Sequence, residues 1–220
     1  DCAVSGGADS VALLVLACAA NLNVSAWHVD HGLRDNSHSE ADLVAQLATQ
    51  LGAQFESRTV SVEQGANTEA RAREARYNVL PQGVMTGHTA DDQAETILIN
   101  LLRGSGTRGL AGMQPTAQRP LLQIRRSETE ALCAELGIAV FNDPSNDDER
   151  FQRNRIRHEV LPLMESLAKR DLVPVLTRQA GLLRDDDDLL NELADALDPT
   201  DALALASAPI ALARRAIRSW

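Results

Sequence analysis

Short apolar runs alternate with helix-period patterns through about the first hundred residues of this chain, and that alternation restricts the fold more than any other feature. Residues 2–4 read as the end of a strand, and 24–29, 54–60 and 84–86 as three more. Helical spacing runs over 9–20, with Val11, Leu14, Val15 and Cys18 on one face, and over 37–51, with Ala41, Val44, Leu47, Ala48 and Leu51 inward. It recurs over 67–80, where Asn67 is a suitable cap and Glu69 suits the first turn, and over 91–102. Strand–helix alternation implies an α/β fold with a twisted parallel sheet, flanking helices and right-handed crossovers. Ligands of such sheets bind beyond the carboxyl ends of the strands. The residues just after each strand are therefore the ones to inspect.

The first strand runs into Ser5, Gly6, Gly7, Ala8, Asp9 and Ser10. Glycines admit positive φ and let an anion approach the backbone. The helix that follows offers unpaired N–H groups and the positive end of its dipole. Two serine hydroxyls complete an anion site that has no lysine, so it matches neither the lysine-bearing P-loop nor the three-glycine dinucleotide fingerprint. Asp9 beside a phosphate is repulsive unless a cation such as Mg²⁺ lies between them.

The second strand ends in HVDHGLR, with His28, Asp30, His31 and Arg34. One turn rarely supplies a whole metal site, and lining a nucleotide cleft is the better reading. The third candidate, NTEARAREARYNVL, puts Arg71, Arg73 and Arg76 on one helix with Glu69, Glu74 and Asn78. The fourth, GHTADDQAETILINLLRGSG, has a buried stripe of Ala94, Ile97, Leu98, Leu101 and Leu102. At 100° per residue Asp91 and Glu95 fall at the edge of that stripe, with Asp92 flanking and His88 just before. Acids favour a first helical turn, yet this set exceeds what capping requires. It suits Mg²⁺ or a cationic substrate such as an amine. The last candidate, FNDPSNDDERFQRNRIRHEVLP, joins a turn at 142–146 to Arg153, Arg155 and Arg157, whose spacing by two spreads them around a helix. Such a cluster suits phosphate or an RNA backbone.

The net charge of −10 argues mildly against nucleic acid, but its distribution matters more. Arg103, Arg108, Arg119, Arg125 and Arg126 lie in a stretch without acids, Arg150, Arg153, Arg155 and Arg157 form a second cluster, and the acids gather elsewhere, as in RDDDDLL. Three cysteines at wide spacing suggest neither a disulfide framework nor a zinc site. No apolar run approaches the ~20 residues that span a bilayer, and no leader peptide is visible, so no membrane association and a cytoplasmic location are expected. After about residue 154 the pattern is purely helical, with a break at DPTDA. The expected organisation is a catalytic domain over 1–165 and a mainly α-helical domain over 166–220, in a chain expected to be part of a longer one.

The loop, as AVSGGADS, resembles the SGGxDS motif of the N-type ATP pyrophosphatases. With HVDHGLR, NTEARAREARYNVL, GHTADDQAETILINLLRGSG, RPLLQIRR and the last arginine-rich segment, in order from Val4 to Pro162, the chain is similar to the tRNA(Ile)-lysidine synthetase family within that superfamily. The resemblance implies an adenine nucleotide α-hydrolase-like, Rossmann-like fold. It also implies ATP and Mg²⁺, free L-lysine, and an isoleucine tRNA with a CAU anticodon. In that family O2 of the wobble cytosine is adenylated, and the lysine ε-amine then attacks C2. Carried onto this chain, residues 5–10 would hold the ATP phosphates, with Asp9 toward Mg²⁺. Arg73 would meet ATP or the activated base. His88, Asp92 and Glu95 match HxxxDxxE, the two acids taking the lysine ammonium, although projection alone favours Asp91 over Asp92. Arg157 would serve activation and base handling, and Arg103, Arg108, Arg153 and Arg155 would meet tRNA. A homodimer is left open as the assembly. The competing readings are another tRNA-modifying relative such as 2-thiocytidine synthetase, for which the cysteines are poorly placed, and a nucleotide-binding module without turnover.

Overall fold

The computed structural model describes residues 1–30, 37–60, 68–141, 148 and 150–220, with the backbone alone for 37–39, 68–70 and 72–74. His31, Arg34, Asn67 and the 142–146 turn lie outside the described residues. Contacts divide the chain into two compact units that are discontinuous in sequence. The first comprises 1–93 and 114–154, the second 94–113 and 155–220. A cut at residue 165 falls inside the second.

The first unit is built on a parallel sheet of β1 (Cys2–Ala3), β2 (Ser25–Asp30) and β3 (Gln54–Thr59), in that order. Cys2 lies opposite Ala26, and Ser25 opposite Gln54. The fourth strand expected at 84–86 is reduced to one residue, Met85, which bridges Cys2 in parallel. Ala3 N–H donates to Met85 O at 2.8 Å and Met85 N–H to Asp1 O at 2.9 Å. The ladder stops there because Thr86 N–H turns instead to Gln118 O, at 2.8 Å. Successive strands thus run outward from β1 in one direction, and the chain returns at Met85 on the other side. The order reverses at β1, and the crevice beyond its carboxyl end is where such sheets take ligands.

Helices α1 (Ala8–Ala19), α2 (Ser37–Gln50) and α3 (Thr68–Val79) follow the three strands. Val4, Val11, Leu13, Leu14, Val24, Ala26, Val44 and Leu47 form the core. The sequence places one apolar face on α1, but Val11, Ala12, Leu13, Leu14, Val15 and Ala17 are all buried. A helix buried nearly all round needs a second neighbour. That neighbour is α6 (Arg126–Glu135), absent from the sequence reading, whose Leu132 and Cys133 pack into the same core. Helix α4 (Ala90–Leu102) is divided between the two units, and among its apolar residues Ala94, Ile97 and Leu98 are buried. Leu101 and Leu102, expected in the buried stripe, are exposed, whereas Gln93, near the start of the helix, is buried.

The second unit holds a short helix α5 (Thr107–Leu110) and a chain of helices after α7 (Gln152–Arg155). A π-helical turn, Ile156–Val160, leads into α8 (Leu161–Ala168), followed by α9 (Val173–Asp195), α10 (Ala202–Ser207) and α11 (Ile210–Ser219). Helix α9 packs on α5 and α11. The break at DPTDA is real: Thr200 turns onto Asp198, and Asp201 caps α10 by accepting from the N–H groups of Leu203 and Ala204. Among the described residues no helix is long and apolar enough to cross a membrane.

Candidate active site

The loop after β1 is shaped by its own backbone. Gly6 has φ +91°, and a Cβ there would sit 3.3 Å from Phe141 Cβ, so only glycine fits without strain. Phe141 N–H donates to Gly6 O at 2.8 Å. Ser10 is buried and holds the turn together: its hydroxyl donates to Gly7 O at 2.9 Å and accepts from Ser5 N–H at 3.1 Å. Ser5, by contrast, is exposed. Helix α1 starts at Gly7 with no side-chain cap, so the donors of its first turn face the loop with no side chain of their own to meet. Gly87 carries a signal the sequence reading missed. A Cβ on it would lie 2.7 Å from Asp9 O, so the segment after Met85 presses directly on the start of α1.

Behind the loop lies an ionic cluster, all within the first unit. Arg126 bridges Asp9 at 3.3 Å and Asp92 at 2.9 Å. Thr129 Oγ1 donates to Asp9 in a short hydrogen bond. Burial pushes the Asp9 carboxyl up from its ordinary value, outweighing the pull of Thr129 and Arg126. Asp92 is also desolvated, but the Arg126 charge, the Thr89 N–H, Arg153 and His88 together hold its carboxyl below the ordinary range. Asp92 reaches back to the start of its own helix, accepting from Thr89 N–H at 2.9 Å and Thr89 Oγ1 at 3.1 Å, as in a capping box. Asp91 is held below the ordinary range too: burial raises it, and Arg125 and the Arg126 N–H outweigh that. It takes Arg125 through Nε and Nη2, both at 3.1 Å, and fastens the first turn of α6 to α4. Arg153 Nη2 donates to Asp92 O at 3.4 Å.

His28 is buried, its Nδ1–H donating to Val4 O at 2.9 Å, so it fixes the end of β1 against β2 and does not line a cleft. His88 shares a 2.7 Å hydrogen bond with Thr86 Oγ1. Arg73 lies on α3, and its side chain is outside the described residues.

Within the second unit, Glu95 is 1% exposed and its two oxygens accept from Arg157, from Nε at 2.7 Å and Nη2 at 3.2 Å. Arg155 instead pairs with Glu159 on the surface, at 3.0 Å through each of Nε and Nη2. The three arginines spaced by two thus point to three different partners. Arg103 and Arg108 are exposed. Sequence reasoning grouped Arg125 and Arg126 with the basic stretch, but missed their pairing with Asp9, Asp91 and Asp92, and it missed Thr89 and Thr129 altogether. Among the described residues no group of three or more His, Cys, Asp or Glu could hold a metal ion by itself.

The PP-loop domain family matches residues 2–164. The tRNA(Ile)-lysidine synthase of Rhodococcus erythropolis is 44% identical over 234 residues, covering 99% of this chain and 72% of its own. The enzyme of the same description from Nocardia farcinica is 43% identical, covering 99% and 74%. That from Mycobacterium tuberculosis is 42% identical, covering 99% and 73%. Among solved structures, a tRNA thiolase, NcsA, from Methanococcus maripaludis aligns with a TM-score of 0.66 at 17% identity, over 83% of this chain and 71% of its own, which shows a shared fold. The chain therefore belongs to the tRNA(Ile)-lysidine synthase family of PP-loop proteins.

Proposed function

We propose that this protein joins free L-lysine to C2 of the wobble cytidine of an isoleucine tRNA with a CAU anticodon, through an adenylated cytidine. The observation that carries the reading is an uncapped helix start at the reversal point of a parallel sheet, in a chain of this family. Such a start takes phosphate through backbone N–H groups and dipole. It needs no lysine, because the β- and γ-phosphates would leave together as pyrophosphate. Cytosine O2 would attack the α-phosphorus, and C2 becomes electrophilic once its oxygen can depart as part of AMP. The ε-amine then attacks C2, loses a proton, and AMP leaves.

Asp9, on the phosphate loop with Arg126 and Thr129 as its present partners, is the carboxylate that would take Mg²⁺, because Mg²⁺ is commonly held by one or two carboxylates plus substrate phosphates. When bound, it offsets the charge gathered on the triphosphate. Asp92 and Glu95, three apart on α4, would hold the lysine ammonium and help take its proton. Arg73 and Arg157 would face the nucleotide or the activated base. Arg103, Arg108, Arg153 and Arg155 would meet tRNA phosphates, and the single-stranded anticodon loop lets its bases be splayed out and read. Sulfur transfer is disfavoured: Cys2 and Cys133 are buried, and burial pushes all three thiols up, away from the thiolate that such chemistry needs.

Incubation of the full-length protein with ATP, Mg²⁺, labelled lysine and tRNA tests the reading. Label should enter the isoleucine tRNA with a CAU anticodon and not the elongator methionine tRNA. ATP-dependent sulfur transfer, or no turnover, would overturn it.

A further inference from the structure

The Glu95–Arg157 pair presents a conflict for a lysine-binding site. Glu95 is almost wholly withdrawn from water, and both of its oxygens are taken by one planar guanidinium. An ammonium is a compact point charge that needs those same oxygens. Two cations on one desolvated carboxylate repel, and with both oxygens already engaged by Arg157 a shared arrangement is unfavourable. Nor can Glu95 wait empty, because a buried charge stripped of its partner is costly. The favourable route is exchange, one cation arriving as the other leaves.

Two features suit Arg157 to leaving. Its side chain is 24% exposed, so the guanidinium already has a path to water. It also sits in the π-helical turn Ile156–Val160, a local irregularity in the helix ladder of a kind frequent at functional sites. A phosphate would be a partner of matching geometry, since Arg binds phosphate and carboxylate by the same two-pronged contact.

We infer that Arg157 holds the lysine position shut in the free protein, and that the lysine ε-ammonium binds by exchanging with the Arg157 guanidinium on Glu95. This rests on the lysine-ligating reading above. The exchange links two events: an anionic phosphodiester on the activated cytidine takes up the Arg157 guanidinium as the amine takes its place on Glu95. The nucleophile is admitted once there is an electrophile for it to attack.

Calorimetric titration of the full-length protein with L-lysine, without nucleotide or tRNA, tests this. Arg157→Met should bind lysine about tenfold more tightly than the unmodified protein, within the usual range for coupled binding. Norleucine, which lacks the ε-amine, should gain nothing. Equal or weaker lysine affinity in Arg157→Met overturns the exchange, as does an equal gain for norleucine, which would report mere loosening. If Arg157→Met does not fold, Arg157→Gln, which retains a donor for Glu95, should still bind lysine several-fold more tightly, and no gain overturns the inference. Failure of the unmodified protein and both variants to bind lysine would remove the lysine reading itself. Normal binding that Arg157 does not influence removes only the exchange.

Discussion

Two buried arginine–carboxylate pairs in the second unit look alike as contacts and differ in what surrounds them. Asp187 accepts from Arg215 and Thr107, each at 2.7 Å, and from Asn191 at 3.2 Å. Arg215 closes the ring by donating to Asn191 Oδ1 at 2.7 Å and Thr107 Oγ1 at 3.0 Å. The ring ties α5, α9 and α11 together. One turn earlier on α9, Arg184 clasps the carbonyls of Ala111 and Met113 at 2.7 and 3.0 Å. Glu95 is as deeply buried, but its arginine keeps 24% exposure against 12% for Arg215. A guanidinium locked among three helices is scaffold, whereas one with a route to water can change partners.

The largest effect should come from the closed ring. Asp187→Ala leaves Arg215 buried without its acid, which costs about 3–5 kcal/mol. Chemical denaturation, with hydrogen exchange read in α5, α9 and α11, should show that loss. A loss under about 1 kcal/mol would mean the ring is not scaffold and would remove the distinction between the pairs. Next is the open pair. Glu95→Gln should lower lysine incorporation about a hundredfold, as expected when a group that handles a reacting proton is lost, and lower tRNA adenylation far less. Asp92→Asn should act in the same direction. Equal loss of both steps would show that these acids do not serve the amine.

The difference between the pairs also explains what could be read beforehand. The loop of Ser5, Gly6, Gly7 and Ser10 was legible because a φ of +91° and an uncapped helix start are local properties that a few residues encode. Glu95 was legible as an edge position because helix periodicity alone brings it beside the apolar stripe. Its partner was not, since Arg157 lies 62 residues away. Asp187 was illegible for another reason. Asp185, Asp186, Asp187 and Asp188 are chemically identical, and only the packing of α9 on α5 and α11 selects the one that is buried. Helix α6 was missed because no strand precedes it and its inward face is short, with Thr129 and Cys133 as its buried residues. The strand read at 84–86 is present as a single bridge at Met85, and its shortness was not legible because Thr86 N–H is drawn off by Gln118, 32 residues away.

A smaller effect should appear with acid. Burial raises the Asp187 carboxyl, but its bonds from Thr107, Arg215 and Asn191 outweigh that and hold it below the ordinary range. A lowered pKa means that the ring contributes fully above the unfolded value near 4 and fades as pH falls through the lower folded value. Asp91 and Asp92 have the same sign in the first unit, whereas Asp9, raised by burial, has the opposite one and eases folding as it protonates. Asp187→Asn should therefore flatten the loss of stability of the second unit below about pH 4, measured by denaturation from pH 6 to pH 3. An unchanged acid slope would mean that the ring does not depend on the Asp187 charge.

The smallest effect on folding should come from a third pair, Arg155–Glu159, which stands in solvent on both sides, 59% and 46% exposed. Exposed pairs at i,i+4 contribute little, because water screens the charges and two long side chains lose freedom in meeting. Arg155→Ala should leave the melting temperature where it is. Its effect should fall on tRNA instead. A surface cation that can turn from Glu159 to a phosphate releases a counterion, so its removal should weaken binding about equally for all tRNAs and lower the salt slope by about one. Filter binding across a range of salt concentrations reads both quantities. An unchanged slope would remove Arg155 from the tRNA surface. A fall in melting temperature would mean that even an exposed pair is scaffold here, and exposure would no longer separate the pairs that hold the fold from those free to change partners.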